Sequence, residues 1–352
     1  MKIKALTQHL KFVYAFSRAK LTGRNIPLIA ILGVTNKCNL NCRYCYGEHP
    51  RRKDWIDFST QELLDIIRQL HGMGVLILQL QGGEPLMRND LEVLLKEARR
   101  LGMACDMVTN GILIPQKLEV IRLLDKICIS LDGPMPLNDR NRGQGTFDQV
   151  IPGIQSARRL KIPVRISAVL TQETALEDIN WLVDFCQRNS LLVNFSPSFD
   201  FVSRLSANGS VPQVISDEKL RLLFGHILSL KKRSGCIQFS AKSYALALEW
   251  PFEYSRRTRQ NSAQAGRQYP DCHHGEQIIF IDSDGSLYPC CNFWGQKSPD
   301  LRKNGLKESI AKLDRRGCGG CYIPAYIDRN LFFSADPGTW FNYFKQGIRG
   351  NL

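Results

Sequence analysis

Cys38-Asn39-Leu40-Asn41-Cys42-Arg43-Tyr44-Cys45 is the stretch that decides how this chain is read. It puts three thiols in CxxxCxxC spacing just after an apolar run, Leu28–Val34, of the length of a buried strand. Three thiolates on a short loop can hold three corners of a cubane. A [4Fe–4S] cluster normally takes four cysteines, so three leave one iron open. An open coordination position is what a reactive metal site requires. The bland alternative is a structural Cys3His zinc site completed by His49, four residues beyond Cys45.

Working outward, strands and helices alternate. Strands are predicted at Leu28–Val34, Val75–Gln81, Ala104–Val108, Ile127–Leu131, Val164–Leu170 and Leu191–Phe195. Ser59 with Glu62 forms a capping box that opens a helix carrying Leu63, Ile67 and Leu70. Asn89 with Glu92 opens another, with Leu91, Leu94, Ala98 and Leu101, ended by Gly102. Further helices are expected near 116–124, 147–160 and 177–189. Such alternation implies parallel pairing through right-handed crossovers, and the apolar strands suggest a sheet buried on both faces. The expected fold is α/β: a partial (β/α)6 TIM-type barrel over 27–225 with a small C-terminal iron-sulfur extension. In such folds chemistry sits at the carboxyl ends of the strands. There stand Cys38, Gly82-Gly83-Glu84, Asn110-Gly111 and Asp132-Gly133, one group after each of the first four strands.

The chain has 352 residues, 43% apolar and 23% charged, which excludes a disordered or collagen-like polymer. No apolar run reaches the roughly 18 residues that span a bilayer, and no signal peptide is read ahead of residues 26–34. The expected location is the cytoplasm, with the inner membrane face as a peripheral alternative. In a reducing compartment clustered cysteines more often bind metal than each other. Of the twelve, Cys105, Cys128, Cys186 and Cys236 are scattered and expected to pack as small hydrophobes. Net charge is +14, and no acidic residue precedes Glu48. Residues 1–26 carry Lys2, Lys4, Lys11, Arg18, Lys20 and Arg24 around an apolar stripe of Leu6, Leu10, Val13 and Leu21. This basic amphipathic segment either covers the barrel's end or lies on an anionic membrane surface. The tail, 331–352, repeats the theme with Phe332, Phe333, Trp340, Phe341, Tyr343 and Phe344 beside Lys345 and Arg349.

Between barrel and tail, 226–270 reads as the rest of a helix begun at 217, then a polar linker from Glu253 to Pro270. Region 271–330 holds a hairpin, Ile278–Ile281 and Leu287–Pro289 around the turn Asp284-Gly285. It also holds Cys272, Cys290 and Cys318-Gly319-Gly320-Cys321. Four cysteines make a closed site for a second [4Fe–4S] cluster, with a zinc ribbon as the serious alternative. Cys291 can substitute for Cys290; Cys236, His273 and His274 are weaker contenders.

The cysteine loop, its place after strand one and the aromatic Tyr44 before its last cysteine resemble the signature of the radical S-adenosylmethionine (radical SAM) superfamily. The resemblance covers roughly 27–225. It implies that Cys38, Cys42 and Cys45 hold a [4Fe–4S] cluster whose open iron chelates SAM. Reductive cleavage then yields a 5′-deoxyadenosyl radical that takes hydrogen from a substrate. Gly82-Gly83-Glu84-Pro85 is similar to the family's GGEP motif, whose backbone and Glu contact the SAM amino group. Ser130 and Asp132, and Asn110 in Thr-Asn-Gly, match strand-end positions where related enzymes bind SAM, although Asx-Gly is also ordinary turn chemistry. Arg140 and Arg142 either reach the SAM carboxylate or sit in a solvated loop. Cys272, Cys290, Cys318 and Cys321 resemble the twitch extension, a shortened SPASM domain, which implies one auxiliary [4Fe–4S] cluster. A reduced flavodoxin- or ferredoxin-type electron donor is the implied partner.

Net substrate oxidation is the expected reaction, on a substrate that stays unidentified. A ribosomal-peptide maturase and a membrane-associated lipid-modifying enzyme are the alternatives, with a zinc-binding non-enzyme more remote. Peptide maturases usually carry an N-terminal recognition domain, and about 26 residues precede the barrel here. Nucleic acid is the poorest fit. No catalytic acid or base is assigned; Asp200, Tyr288 and His274 are only guesses near the expected mouth.

Overall fold

The computed structural model describes residues 14–17, 27–45, 47, 55–198, 215–254, 269–294, 297–314 and 321–348. The amphipathic stripe of residues 6–13 and 21, and His49, Asp200 and Cys318, lie outside them.

One eight-stranded sheet organises the chain: β1 (Ile29–Thr35), β2 (Ile77–Gly82), β3 (Ala104–Thr109), β4 (Lys126–Ser130), β5 (Val164–Leu170), β6 (Leu192–Pro197), β7 (Ile278–Ile281) and β8 (Leu287–Tyr288). Their order is β6-β5-β4-β3-β2-β1-β7-β8, an open sheet, and β1 to β6 run parallel as expected. The C-terminal hairpin is part of this sheet. β7 pairs in parallel with β1 and β8 returns antiparallel. A Cβ on Gly33 would stand 2.9 Å from the Ser283 nitrogen, so a glycine in β1 is what lets the end of β7 come this close.

The crossover helices are α1 (Thr60–Gly72), α2 (Leu91–Arg100), the single turn α3 (Leu118–Ile121), α4 (Met135–Arg142), α5 (Thr146–Arg159) and α6 (Leu176–Arg188). The capping box of α1 forms as read: Ser59 Oγ accepts from Glu62 N at 3.2 Å, and Glu62 Oε2 accepts from Ser59 N at 2.7 Å. Helix α2 opens one residue later than the expected Asn89. Its N-cap is Asp90, whose carboxylate is held by Arg88 and Thr60 instead of the helix start. Of the helix expected over 116–124 only α3 forms, preceded by a 3₁₀ turn over Ile114–Gln116. Beyond the barrel come α7 (Asp217–Arg233), α8 (Ala241–Leu248), α9 (Leu301–Ala311), α10 (Pro324–Phe333) and α11 (Pro337–Ile348). Among the described residues no helix is long and apolar enough to cross a membrane.

The two faces of the sheet differ in polarity. Toward the helices, Leu32, Leu78, Leu80, Ile127, Ile129, Ile166 and Leu170 join Leu63, Ile67, Leu94 and Ile154 in one core. Each such side chain contributes roughly 1.5–3 kcal/mol. The concave face carries Gln79, Asp106, Cys128, Arg165, Ser167 and Asn194, aligned by register. In β5 the residues toward the helices are buried, while Arg165, Ser167 and Val169 keep part of their surface. On this side Gln79, Asp106, Cys128 and Asn194 are buried, so the concave face is polar and only partly accessible.

Cys105, Cys128, Cys186 and Cys236 are buried, as expected of packed thiols. The aromatic tail is mostly internal. Phe16, Phe332, Phe333 and Trp340 cluster with ring centroids 5.6–6.5 Å from Phe16, in a second core under Ile31 and Phe280. Phe341 and Phe344 remain exposed.

Helix α5 packs unusually close to the turn after β3: a Cβ on Gly153 would sit 2.1 Å from the Gly111 carbonyl oxygen. Gly153→Ala gains about 1 kcal/mol of helix propensity but overpacks a backbone contact, at roughly 1–3 kcal/mol. Denaturant unfolding of this variant is expected to show a net loss of stability, and a gain would contradict the contact.

Candidate functional site

The cysteine loop leaves β1 along a backbone seam. Gly83 N donates to Thr35 O and Glu84 N to Lys37 O, both at 2.8 Å. A Cβ on Gly83 would lie 2.2 Å from Lys37 O, and one on Gly82 would lie 2.4 Å from Thr35 O; Gly82 also sits at φ +136. Both positions demand glycine because the stem of the cysteine loop presses on them. Asp57 clamps the same stem, accepting from Thr35 Oγ1 at 2.5 Å and Asn36 N at 2.6 Å. Arg88 ties it from below through the Val34 and Phe58 carbonyls.

Glu84 is fully buried. Its carboxyl accepts from Leu86 N at 3.0 Å, Thr109 Oγ1 at 2.7 Å and Asn110 N at 2.7 Å. Burial raises its pKa, and the three donors work against that rise. Three of about four acceptor sites are thus taken by the chain itself, so Glu84 staples the ends of β2 and β3 together. The Asn110 amide reaches Asn39 in the cysteine loop at 2.7 Å, while its Oδ1 accepts from Ile112 N. Ser130 lies on the concave face, in register with Ser167, and keeps part of its surface.

Asp132 is the hub of the opposite side. It is buried and accepts from Tyr44 Oη at 2.6 Å, Arg142 Nη2 at 2.8 Å, Val169 N at 3.0 Å and Asn141 Nδ2 at 3.2 Å. Four donors fill a carboxylate, so this side chain fastens the cysteine loop to β4, β5 and α4 in place of facing a ligand. Arg142 is buried too, which corrects its reading as a solvated loop residue, and its guanidinium lies 5.5 Å from the Tyr44 ring centroid. Burial opposes its charge, but Asp132, Tyr44 and Cys42 more than offset this. Arg140 stays exposed, paired with Glu173 at 2.9 Å. Composition gave no sign of the Asp132 hub. The period of α4, which puts Asn138, Asn141 and Arg142 on one side of a short polar helix, could have revealed it.

Cys38, Cys42 and Cys45 are all part-exposed at this mouth. Burial pushes the Cys38 thiol up to about 12 and the Cys42 thiol up to about 11, with neighbouring thiols adding to both and Arg142 working against the second. Bare, the Cys38 and Cys42 thiols are protonated at neutral pH. A bound cationic cluster converts them to thiolates, so the donor set fits a metal group that supplies the missing positive charge.

The second set converges in part. Burial raises the Cys290 thiol well above its usual range, and Cys291, Cys272 and Cys321 are close enough to raise it further. Cys291 turns the other way, its Sγ 2.5 Å from Tyr326 Oη. Among the described residues no three ligating side chains are grouped closely enough to hold a single metal ion. His274 is buried against the Tyr326 ring at 4.4 Å, and Tyr288 is buried against Phe280; neither stands at the mouth.

Removing the hub carboxylate leaves a buried guanidinium unpaired, which costs about 3–5 kcal/mol. Asp132→Ala should show that loss in denaturant unfolding, and Asp132→Asn with Arg142→Met should recover most of it. Equal losses in the two proteins would contradict a buried ion pair.

The chain matches the Radical SAM superfamily over residues 32–186. It is 30% identical over 349 residues to AdoMet-dependent heme synthase from Methanosarcina barkeri, a match covering 89% of this chain and 96% of the relative. Fe-coproporphyrin III synthase of the same organism is 30% identical over 168 residues, but there the chain spans only 42% of the relative's length. Among solved structures, Streptococcus suis SuiB aligns with a TM-score of 0.61 at 20% identity, covering 95% of this chain and 70% of that one, a likeness of fold alone. The chain belongs to the radical SAM superfamily.

Proposed function

We propose that this protein is a radical SAM oxidoreductase with one auxiliary cluster, and that its substrate lies in the barrel lumen between two cysteine sets. When bound, the [4Fe–4S] cluster on Cys38, Cys42 and Cys45 and the one on Cys272, Cys290, Cys318 and Cys321 supply one-electron cleavage of SAM and uptake of an electron from the substrate. The chain's own part is placement. Gly82 and Gly83 hold the loop stem and offer backbone groups to the SAM ammonium, while Ser130 faces the lumen beneath. Asp132, Arg142 and Tyr44 keep the loop over the mouth.

The observation that carries the reading is the route from the second cysteine set to the lumen. Tyr326 touches Cys291 through its hydroxyl and His274 through its ring, and one turn along α10 Arg329 donates to Gln79 on the concave face of β2 at 3.0 Å. Cys290, one residue before Cys291, begins this route toward the wall that a lumen substrate would touch. The relative matching over nearly its whole length is named a heme synthase, which makes a heme-precursor tetrapyrrole the first substrate to test.

Anaerobic reconstitution should give about eight irons per chain, because each cubane carries four. Cys38/Cys42/Cys45→Ala should hold about four and lose SAM cleavage. Cys272/Cys290/Cys321→Ala should also hold about four yet keep reductive cleavage of SAM to 5′-deoxyadenosine. Zinc in place of iron, or iron unchanged in either variant, would overturn the reading.

A further inference from the structure

Three cations crowd one carboxylate in the lumen. Arg165 projects from the concave face of β5 and Arg329 from α10, and each is an electrostatic neighbour of the other and of Asp106 on β3. Asp106 Oδ2 already pairs with Lys126 Nζ at 3.3 Å. Arg329 donates to the neutral amide of Gln79. Arg165 Nε finds no hydrogen-bond partner among the described residues, and neither does Asp106 Oδ1. On the same wall both ring nitrogens of the buried His274 are also unpartnered.

Arg165 and Arg329 keep part of their surface exposed, as do Ser167 and Val169 further along β5. Surplus positive charge is costly away from bulk water unless an anion answers it, and a guanidinium is the group best shaped for a carboxylate or phosphate. Around Asp106 the cations Arg165, Arg329 and Lys126 outnumber the carboxylates, and the Cys128 thiol is the further hydrogen-bond partner of Arg165.

We propose that Arg165 and Arg329 form a receptor for an oxyanion of the substrate, a carboxylate or a phosphate, at the depth of the lumen. The inference rests on the reading of the lumen as the substrate site and adds the chemical class of what binds there. Docking an anion beneath the mouth would hold the remainder of the substrate upward, toward the part-exposed Ser130 and Gly82.

The iron-loaded protein is titrated with coproporphyrin III, with its tetramethyl ester and with inorganic pyrophosphate, beside Arg165→Gln and Arg329→Gln. Porphyrin absorbance or, for pyrophosphate, heat of binding is the readout. The free acid or pyrophosphate should bind the wild type and each variant should bind it about tenfold more weakly or worse, as for loss of a charged hydrogen bond. Preference for the free acid over its ester identifies a carboxylate, and preference for pyrophosphate a phosphate. Equal binding of acid and ester without pyrophosphate binding, or variants that bind like the wild type, would overturn the proposal. If no probe binds, thermal melting decides. A receptor lacking its anion stores repulsion, so either substitution should leave the melting temperature unchanged or raise it, whereas a fall in both variants makes the arginines structural and overturns it. Iron content separates the two levels: absent iron sinks the radical SAM oxidoreductase reading, while an iron-loaded protein with arginine-independent binding sinks this inference alone.

Discussion

Two backbone hydrogen bonds, from Gly83 to Thr35 and from Glu84 to Lys37, fix where the cysteine loop leaves the sheet. The rest of the site depends on that seam. It forces glycine at two successive positions, brings Glu84 under the loop stem and so joins β1, β2 and β3 at their carboxyl ends. On the far side Asp132 performs the matching task for β4, β5 and α4. A loop of three cysteines has no regular structure of its own to hold a fixed shape. Its geometry is inherited from strand ends that are themselves locked by buried, satisfied polar groups.

Much of this was legible in the sequence, for a definite reason. Strand β5 was read to its exact residues, Val164–Leu170, and the capping box of α1 to its two side chains. Both are local signals, set by short-range pattern and cap chemistry. The family assignment was local as well, since CxxxCxxC and GGEP are short and contiguous. What stayed hidden was long-range. That β7 continues the sheet beside β1 joins residues more than two hundred positions apart. That Asp132 serves Tyr44, Arg142 and Val169 at once could not be read from an Asp-Gly turn. The polarity of the concave face was present in the alternation Val-Arg-Ile-Ser of β5, but the apolar average of the strands concealed it.

The lumen links the two halves of the account. Its upper rim carries the cysteine loop, its wall carries polar side chains where a fully packed barrel would carry branched apolar ones, and α10 brings Tyr326 and Arg329 against it from the side of the second cysteine set. A substrate in that space would touch both regions. The fold alone does not choose the substrate. The charge within the lumen narrows the choice.

The most direct test of the central claim is the electron paramagnetic resonance spectrum of the reduced, iron-loaded protein before and after addition of SAM. A cluster held by three cysteines has an iron open to the methionine end of SAM, so SAM should change the signal that depends on Cys38, Cys42 and Cys45 and leave any second signal as it was. A spectrum that SAM does not alter would contradict the assignment of this mouth as the reaction centre.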